Sequence, residues 1–198
     1  GPYPFPRYTA VVTDDPLEIP LEAQGFATFG ANHCDPTSDA QRLVAHELAH
    51  QWFGNSVTLK RWRDIWLHEG FACYAEWLWS ERSGDQSAHE WANHYYDKLK
   101  STPMSRPLAD PGPAAMFDDW VYKRGALTLH ALRLRIGDDA FFALLRHWTD
   151  KYRYGSVGTE DFIALASHHT AQPLGELWQS WLYETTLPPL PPTGPPGH

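Results

Sequence analysis

No run of Lys or Arg in this sequence is longer than two, and 24 acidic residues against 16 basic ones leave a formal charge of −8. That balance excludes the clustered cations that hold a nucleic acid or an anionic membrane surface. No apolar stretch approaches the 18 or so residues of a membrane span. Two cysteines, Cys34 and Cys73, do not make a disulfide framework, so the compartment stays open between cytoplasmic and secreted. There is neither a signal peptide nor an initiator methionine. The chain opens Gly1-Pro2-Tyr3-Pro4 and reads as a piece of something longer, or as the scar of a removed tag. It contains no internal repeat. What is there is 198 residues, 42% apolar and 20% charged, which fits one soluble globular domain with a sizeable core.

The first thirty residues predict strands. Tyr8–Thr13 is rich in β-branched residues, and Gly25–Gly30 is a second short run bounded by glycines. From Ser38 the pattern turns helical. Ser38 and Gln41 form a capping box, Gly54-Asn55 is a stop, and the first helix is expected over about 39–53. A short strand at Ser56–Leu59 leads to helices at about 69–82 and 87–100. Residues 101–113 carry Pro103, Pro107, Pro111 and Pro113 and predict a loop. Further helices are expected at about 119–136, 138–152, 160–170 and 174–183, with Thr159 capping the third of these. Residues 187–198 form a proline-rich tail that predicts an extended, mobile segment, leaving 1–186 as the domain.

The chemistry sits in Ala45-His46-Glu47-Leu48-Ala49-His50, on an otherwise apolar helix. Burying unpartnered polar groups there costs roughly 2–7 kcal/mol each, so they need a partner. Residues four apart share a helix face, and H-E-x-x-H is the zinc-peptidase arrangement. In that arrangement the two histidines, here His46 and His50, are expected to bind the metal, and the glutamate, here Glu47, to handle the protons of the water it activates. A catalytic zinc takes three protein ligands and one open position. The metzincin spacing fails, because Phe53 and Ser56 stand where Gly and His are required. The following segment offers Asp64, His68, Glu69 and Glu76 as third ligands. His68 and Glu69 project about 100° apart on a helix, so only one of them faces the metal.

The stretch from His46 to Trp77 strongly resembles the aminopeptidase N and leukotriene hydrolase family of zinc metallopeptidases. Its signature is H-E-x-x-H, eighteen residues, then the glutamate of W-L-N-E-G-F-A, here Trp66-Leu67-His68-Glu69-Gly70-Phe71-Ala72. His68 replaces the usual Asn and stays a weak alternative ligand. The resemblance implies one zinc ion held by His46, His50 and Glu69.

Tyr122-Lys123-Arg124-Gly125-Ala126 is similar to the family's Y-x-K-G-A, with Arg124 for Lys. That match implies Tyr122 as a hydrogen-bond donor to the oxyanion. Ile19-Pro20-Leu21-Glu22-Ala23-Gln24-Gly25 lies where the family carries G-A-M-E-N-x-G, which implies Glu22 as the anchor of the substrate's α-amino group. The family also has a glutamate at the position of Glu76, which is read either as orienting a ligand histidine or as a plain surface carboxylate. The similarity covers about residues 3–185. It implies an α+β, mainly helical, thermolysin-like (zincin) catalytic domain with a small N-terminal β-sheet, normally preceded by a large β domain that this chain lacks. The implied activity is zinc-dependent removal of the N-terminal residue of a peptide, with Glu47 as general base. A zinc endopeptidase, an epoxide hydrolase and a non-catalytic zinc-binding module of the same fold are the alternatives.

Overall fold

The computed structural model describes residues 1–35 and 38–192, apart from the side chains of Ser38 and Asp39. The capping role expected of Ser38 and the last residues of the tail, 193–198, therefore lie outside the described residues. The chain is α+β and mainly helical, with a small N-terminal sheet, as expected. Strands β1 (Thr9–Thr13), β2 (Leu21–Ala23) and β3 (Phe26–Gly30) form that sheet in the order β1-β3-β2. β1 runs parallel to β3, and β2 antiparallel to it with Glu22 opposite Ala27. Helix α1 (Ser38–Ala49) follows, then β4 (Val57–Leu59), which pairs in parallel with the distant β5 (Gly155–Val157). The remaining helices are α2 (Trp66–Ser83), α3 (Ala88–Leu99), α4 (Asp119–Ile136), α5 (Asp138–Lys151), α6 (Thr159–Ser167) and α7 (Gly175–Trp178). The last continues into a π-helical turn, Gln179–Tyr183. Among the described residues no helix is long and apolar enough to cross a membrane.

α2 is apolar on nearly every side and is accordingly the central element, with Trp66, Leu67, Phe71, Cys73, Tyr74 and Trp77 all buried. It ends at Gly84, whose φ of +85° gives the left-handed turn that a glycine makes without steric cost. Its crossing with α4 is set by two glycines. A Cβ on Gly70 would stand 2.8 Å from the Gly125 Cα, so the two backbones touch. α3 starts with a capping box in which the Glu90 amide donates to Ser87 Oγ and the Ser87 amide to Glu90 Oε2.

The C-terminal segment is fastened by Arg124. Its guanidinium is wholly buried in α4 and donates to five carbonyls, those of Ser180, Trp181, Glu184, Thr185 and Thr186, at 2.6–3.2 Å. Beyond them, half-buried Leu187 and Leu190 pack back onto the core.

Several boundaries differ from expectation for visible reasons. α1 ends at Ala49 instead of 53 because its last amides tighten to i−3 acceptors, Gln51 to Leu48 and Trp52 to Ala49. α2 begins at Trp66 rather than 69, because the 3₁₀ turn Trp62–Asp64 closes on Ile65, whose helical carbonyl accepts from the His68 and Glu69 amides. Thr159 does not cap α6. Its hydroxyl donates to Asp64 Oδ1 at 2.7 Å and accepts from Trp66 Nε1 at 2.9 Å, while Asp161 caps the helix by accepting from the Gly158 amide. Those bonds also commit Asp64 to the core, away from any metal.

Candidate metal centre and active site

His46 lies in the last turn of α1 and His50 one turn on, just past its end, and their Nε2 atoms converge on Glu69 Oε2 from the first turn of α2, at 3.4 and 3.5 Å. The outer nitrogens fix which face is presented. His50 Nδ1 lies 3.1 Å from the Phe53 carbonyl, which only accepts, so Nδ1 carries the proton and Nε2 the lone pair. His46 Nδ1 lies 2.6 Å from Glu76 Oε1, and Glu76 Oε2 accepts from Arg42 Nη1 at 2.7 Å. The result is three acceptors facing one another. Glu69 Oε2 is buried with no hydrogen-bond donor among the described residues. Such a cluster needs a cation, and two imidazole nitrogens with one carboxylate oxygen are the donor set of a catalytic zinc. The residues present fit that ion. The electrostatics agree: burial lowers the affinity of His46 for a proton, but the adjacent Glu69 and Glu76 carboxylates overcome this and raise its pKa. A site that draws a proton so strongly also draws a metal ion.

Glu47 lies beside this cluster, 4% exposed, with Oε2 unpartnered among the described residues. Burial pushes its carboxyl up to about 7, against the opposing pull of His46 and His50. It is thus poised to take and release a proton near neutral pH. Glu22 reaches the same place from β2: candidate ligand atoms of Glu22, Glu47 and His50 all lie within 4.8 Å of one another. Gln51, wholly buried at the end of α1, explains how β2 is held there. Its Nε2 donates to the Ala23 carbonyl at 3.0 Å, and its Oε1 accepts from the Gly25 amide at 2.8 Å. Tyr122, in the first turns of α4, stacks on His46 with ring centroids 6.1 Å apart and planes 20° from parallel. Burial, then the negative charges of Glu69, Glu22 and Glu47, raise its phenol pKa, so it remains a proton-bearing donor.

All six residues expected at the site are therefore brought together. His68 is not: it belongs to neither group of potential ligands among the described residues, and its Nδ1 faces the Gly54 turn. Burial, then the neighbouring His50, lower its pKa to about 4 and keep it neutral. Of the two readings of Glu76, the surface carboxylate fails: the residue is buried, against the outer nitrogen of His46. Arg42, Gln51 and Tyr8 were not anticipated. The Tyr8 hydroxyl is buried without a partner among the described residues, and burial together with the charge of Glu47 raises its pKa to about 12. Arg42 and Gln51 did leave a signal: both are polar residues flanking the two histidines on an apolar helix.

The Peptidase family M1 domain model matches residues 1–181. The chain belongs to peptidase family M1. Among curated proteins, this M1 domain is 30% identical over 209 residues to Aminopeptidase M1-B of Oryza sativa subsp. japonica, covering 94% of this chain and 23% of that protein. It is 32% identical over 180 residues to human endoplasmic reticulum aminopeptidase 1, covering 81% and 19% respectively. Among solved structures, the M1 zinc metallopeptidase from Deinococcus radiodurans superposes with a TM-score of 0.87 at 38% identity, covering 100% of this chain and 43% of that one. Leukotriene A4 hydrolase from Saccharomyces cerevisiae follows at 0.79 and 25%, covering 96% and 33%. The chain thus spans about a fifth to a quarter of the curated relatives it matches. Its fold is that of the M1 catalytic domain.

Proposed function

We propose that this M1 domain is the catalytic part of a zinc-dependent aminopeptidase, with His46, His50 and Glu69 holding one zinc ion. The reading rests on the convergence of those three acceptors on one point, with an orphaned carboxylate oxygen that nothing else in the described chain satisfies. Bound there, zinc supplies Lewis acidity, lowering the pKa of water toward about 7 and polarising a carbonyl. Glu47 accepts the proton of the attacking water and passes it to the leaving amine, a role suited to a carboxyl held near neutrality. The Tyr122 hydroxyl donates to the oxygen that gains charge; one such donor is typically worth about 2.7–4 kcal/mol of the barrier.

Glu22 supplies the exopeptidase character. Placed against Glu47 and His50, it is read as the anchor of the substrate's ammonium group, which limits cleavage to the first peptide bond. A mutant of the Deinococcus enzyme was solved with a Tyr-Ser-Ala substrate, which supports a peptide as the substrate class. A preceding β domain, as the family resemblance implies, would complete the cleft. The test is hydrolysis of a short peptide series with free or N-acetylated ends. Cleavage restricted to free amines, one residue at a time, supports the aminopeptidase. Equal cleavage of both makes it an endopeptidase, and zinc binding without cleavage makes it a non-catalytic module.

A further inference from the structure

His46 differs from His50 in how its outer nitrogen is held. His50 is fixed by a backbone carbonyl, which cannot turn. His46 is fixed by a side-chain carboxylate, which rotates about its own bonds unless something grips its second oxygen. Glu76 comes from two turns beyond Glu69 on α2 and is almost wholly enclosed. Its Oε1 meets His46 Nδ1 at 2.6 Å, and its Oε2 takes a charge-assisted bond from Arg42 Nη1 at 2.7 Å. Arg42 stands one turn before His46 on the same face of α1, so the helix period itself places grip and ligand on either side of one carboxylate. The other cation near Glu76, Lys123, is engaged elsewhere: its Nζ lies 3.4 Å from Cys73 Sγ and over the Tyr95 ring.

We propose that Arg42 is a positioning residue for the metal centre, locking Glu76 so that His46 Nε2 is aimed at the ion. This rests on reading His46 as a zinc ligand. The guanidinium also lines a cavity of about 400 Å³ with Trp77, Trp91 and Tyr95, outside the cluster of ligand atoms, and its side chain is 36% exposed. The lock is thus worked from outside the cluster of ligand atoms, by a residue that belongs to neither group of potential ligands among the described residues.

The experiment is zinc affinity of the full chain, by competition with a chromophoric chelator, for wild type, Arg42→Gln, Arg42→Lys, Glu76→Gln and the Arg42→Gln/Glu76→Gln pair. Outer-shell partners of ligand histidines typically contribute about 10- to 100-fold in metal affinity. Arg42→Gln is expected at the lower end, about tenfold weaker, with Arg42→Lys recovering part of the loss. In the Glu76→Gln background, Arg42→Gln is expected to add nothing. With excess chelator Arg42→Gln is expected to melt lower, because the enclosed Glu76 oxygen loses its donor, but zinc is expected to raise the melting point of the variant less than that of wild type, whereas a purely structural arginine would leave the zinc-induced rise unchanged. Unchanged zinc affinity in Arg42→Gln, additive losses in the pair, or a zinc-induced rise in melting point equal to that of wild type each overturn the proposal. Failure of the wild type to bind zinc overturns the metal reading beneath it.

Discussion

Gly70 and Gly125 meet backbone to backbone: a Cβ on Gly125 would stand 2.7 Å from the Gly70 Cα, inside any real carbon contact. Gly70 directly follows the candidate ligand Glu69, and Gly125 lies three residues after Tyr122. The contact therefore sets the spacing between ligand and phenol. Alanine at Gly125 would gain about 1 kcal/mol of helix propensity. The clash is with backbone, which cannot rotate away, and overpacking of this kind costs about 1–3 kcal/mol or more. Gly125→Ala is expected to melt lower and to lose kcat more than it raises KM, as α4 and Tyr122 are pushed outward. A variant more stable than wild type would show that the helices yield freely.

Arg124 is expected to be irreplaceable by lysine. A planar fork reaches five carbonyls, whereas a single ammonium reaches at most three. Buried acceptors left unpaired cost about 1–3 kcal/mol each. Arg124→Lys should therefore lose at least about 2 kcal/mol in denaturant unfolding, and Arg124→Met more. Equal stability of the lysine variant would rule this account out.

Glu47→Gln preserves shape and removes the base. Proton transfer by a positioned group is worth about 100- to 10,000-fold, and the hydrolytic rate should fall within that range while bound zinc is kept, as metal analysis would show. Activity near wild type would assign the proton to another group.

His130, buried in α4, lies 3.1 Å from the Tyr74 hydroxyl and 3.1 Å from His89 Nδ1. Burial, then the charges of His89 and Arg133, lower its pKa to about 3. The folded chain keeps it neutral, whereas the unfolded chain protonates it below about 6.5. Its contribution to stability is therefore whole above about pH 6.5 and is lost as the pH falls toward 3, at up to about 1.4 kcal/mol per pH unit. Between pH 6.5 and 5 wild type should lose roughly 2 kcal/mol more than His130→Phe in paired unfolding curves. Parallel slopes for the two proteins would count against it.

How far the sequence carried the structure follows from the range of each interaction. The helix period alone puts His46 and His50 on one face, and α4 lies over Asp119–Ile136, as capping and periodicity predict. Glu69, Tyr122 and Glu22 were legible only as motif matches; spacing leaves His68 open, and only the fold turns it toward the Gly54 turn. β2 and β5 span three residues each, too short to leave a pattern, and are made by their partners β3 and β4. The Arg42–Glu76 contact crosses 34 residues and Gln51 to Ala23 crosses 28, separations at which no local rule operates. Thr159 illustrates the converse: a sound local expectation for a cap lost to a buried aspartate 95 residues away.

The carbonyl cage around Arg124 also orders events during synthesis. Helix α4 carries Tyr122 and the glycine that seats it against α2, yet its buried guanidinium has no set of acceptors until residues 180–186 have been made. While those residues are still inside the ribosome, the guanidinium stays hydrated, because burying it without them would leave a desolvated cation unpaired. The six residues of the site lie between Glu22 and Tyr122, but the piece that settles their scaffold is translated some sixty residues later. Completion of the fold, and with it the geometry of the metal centre, is thereby tied to emergence of the domain's last segment.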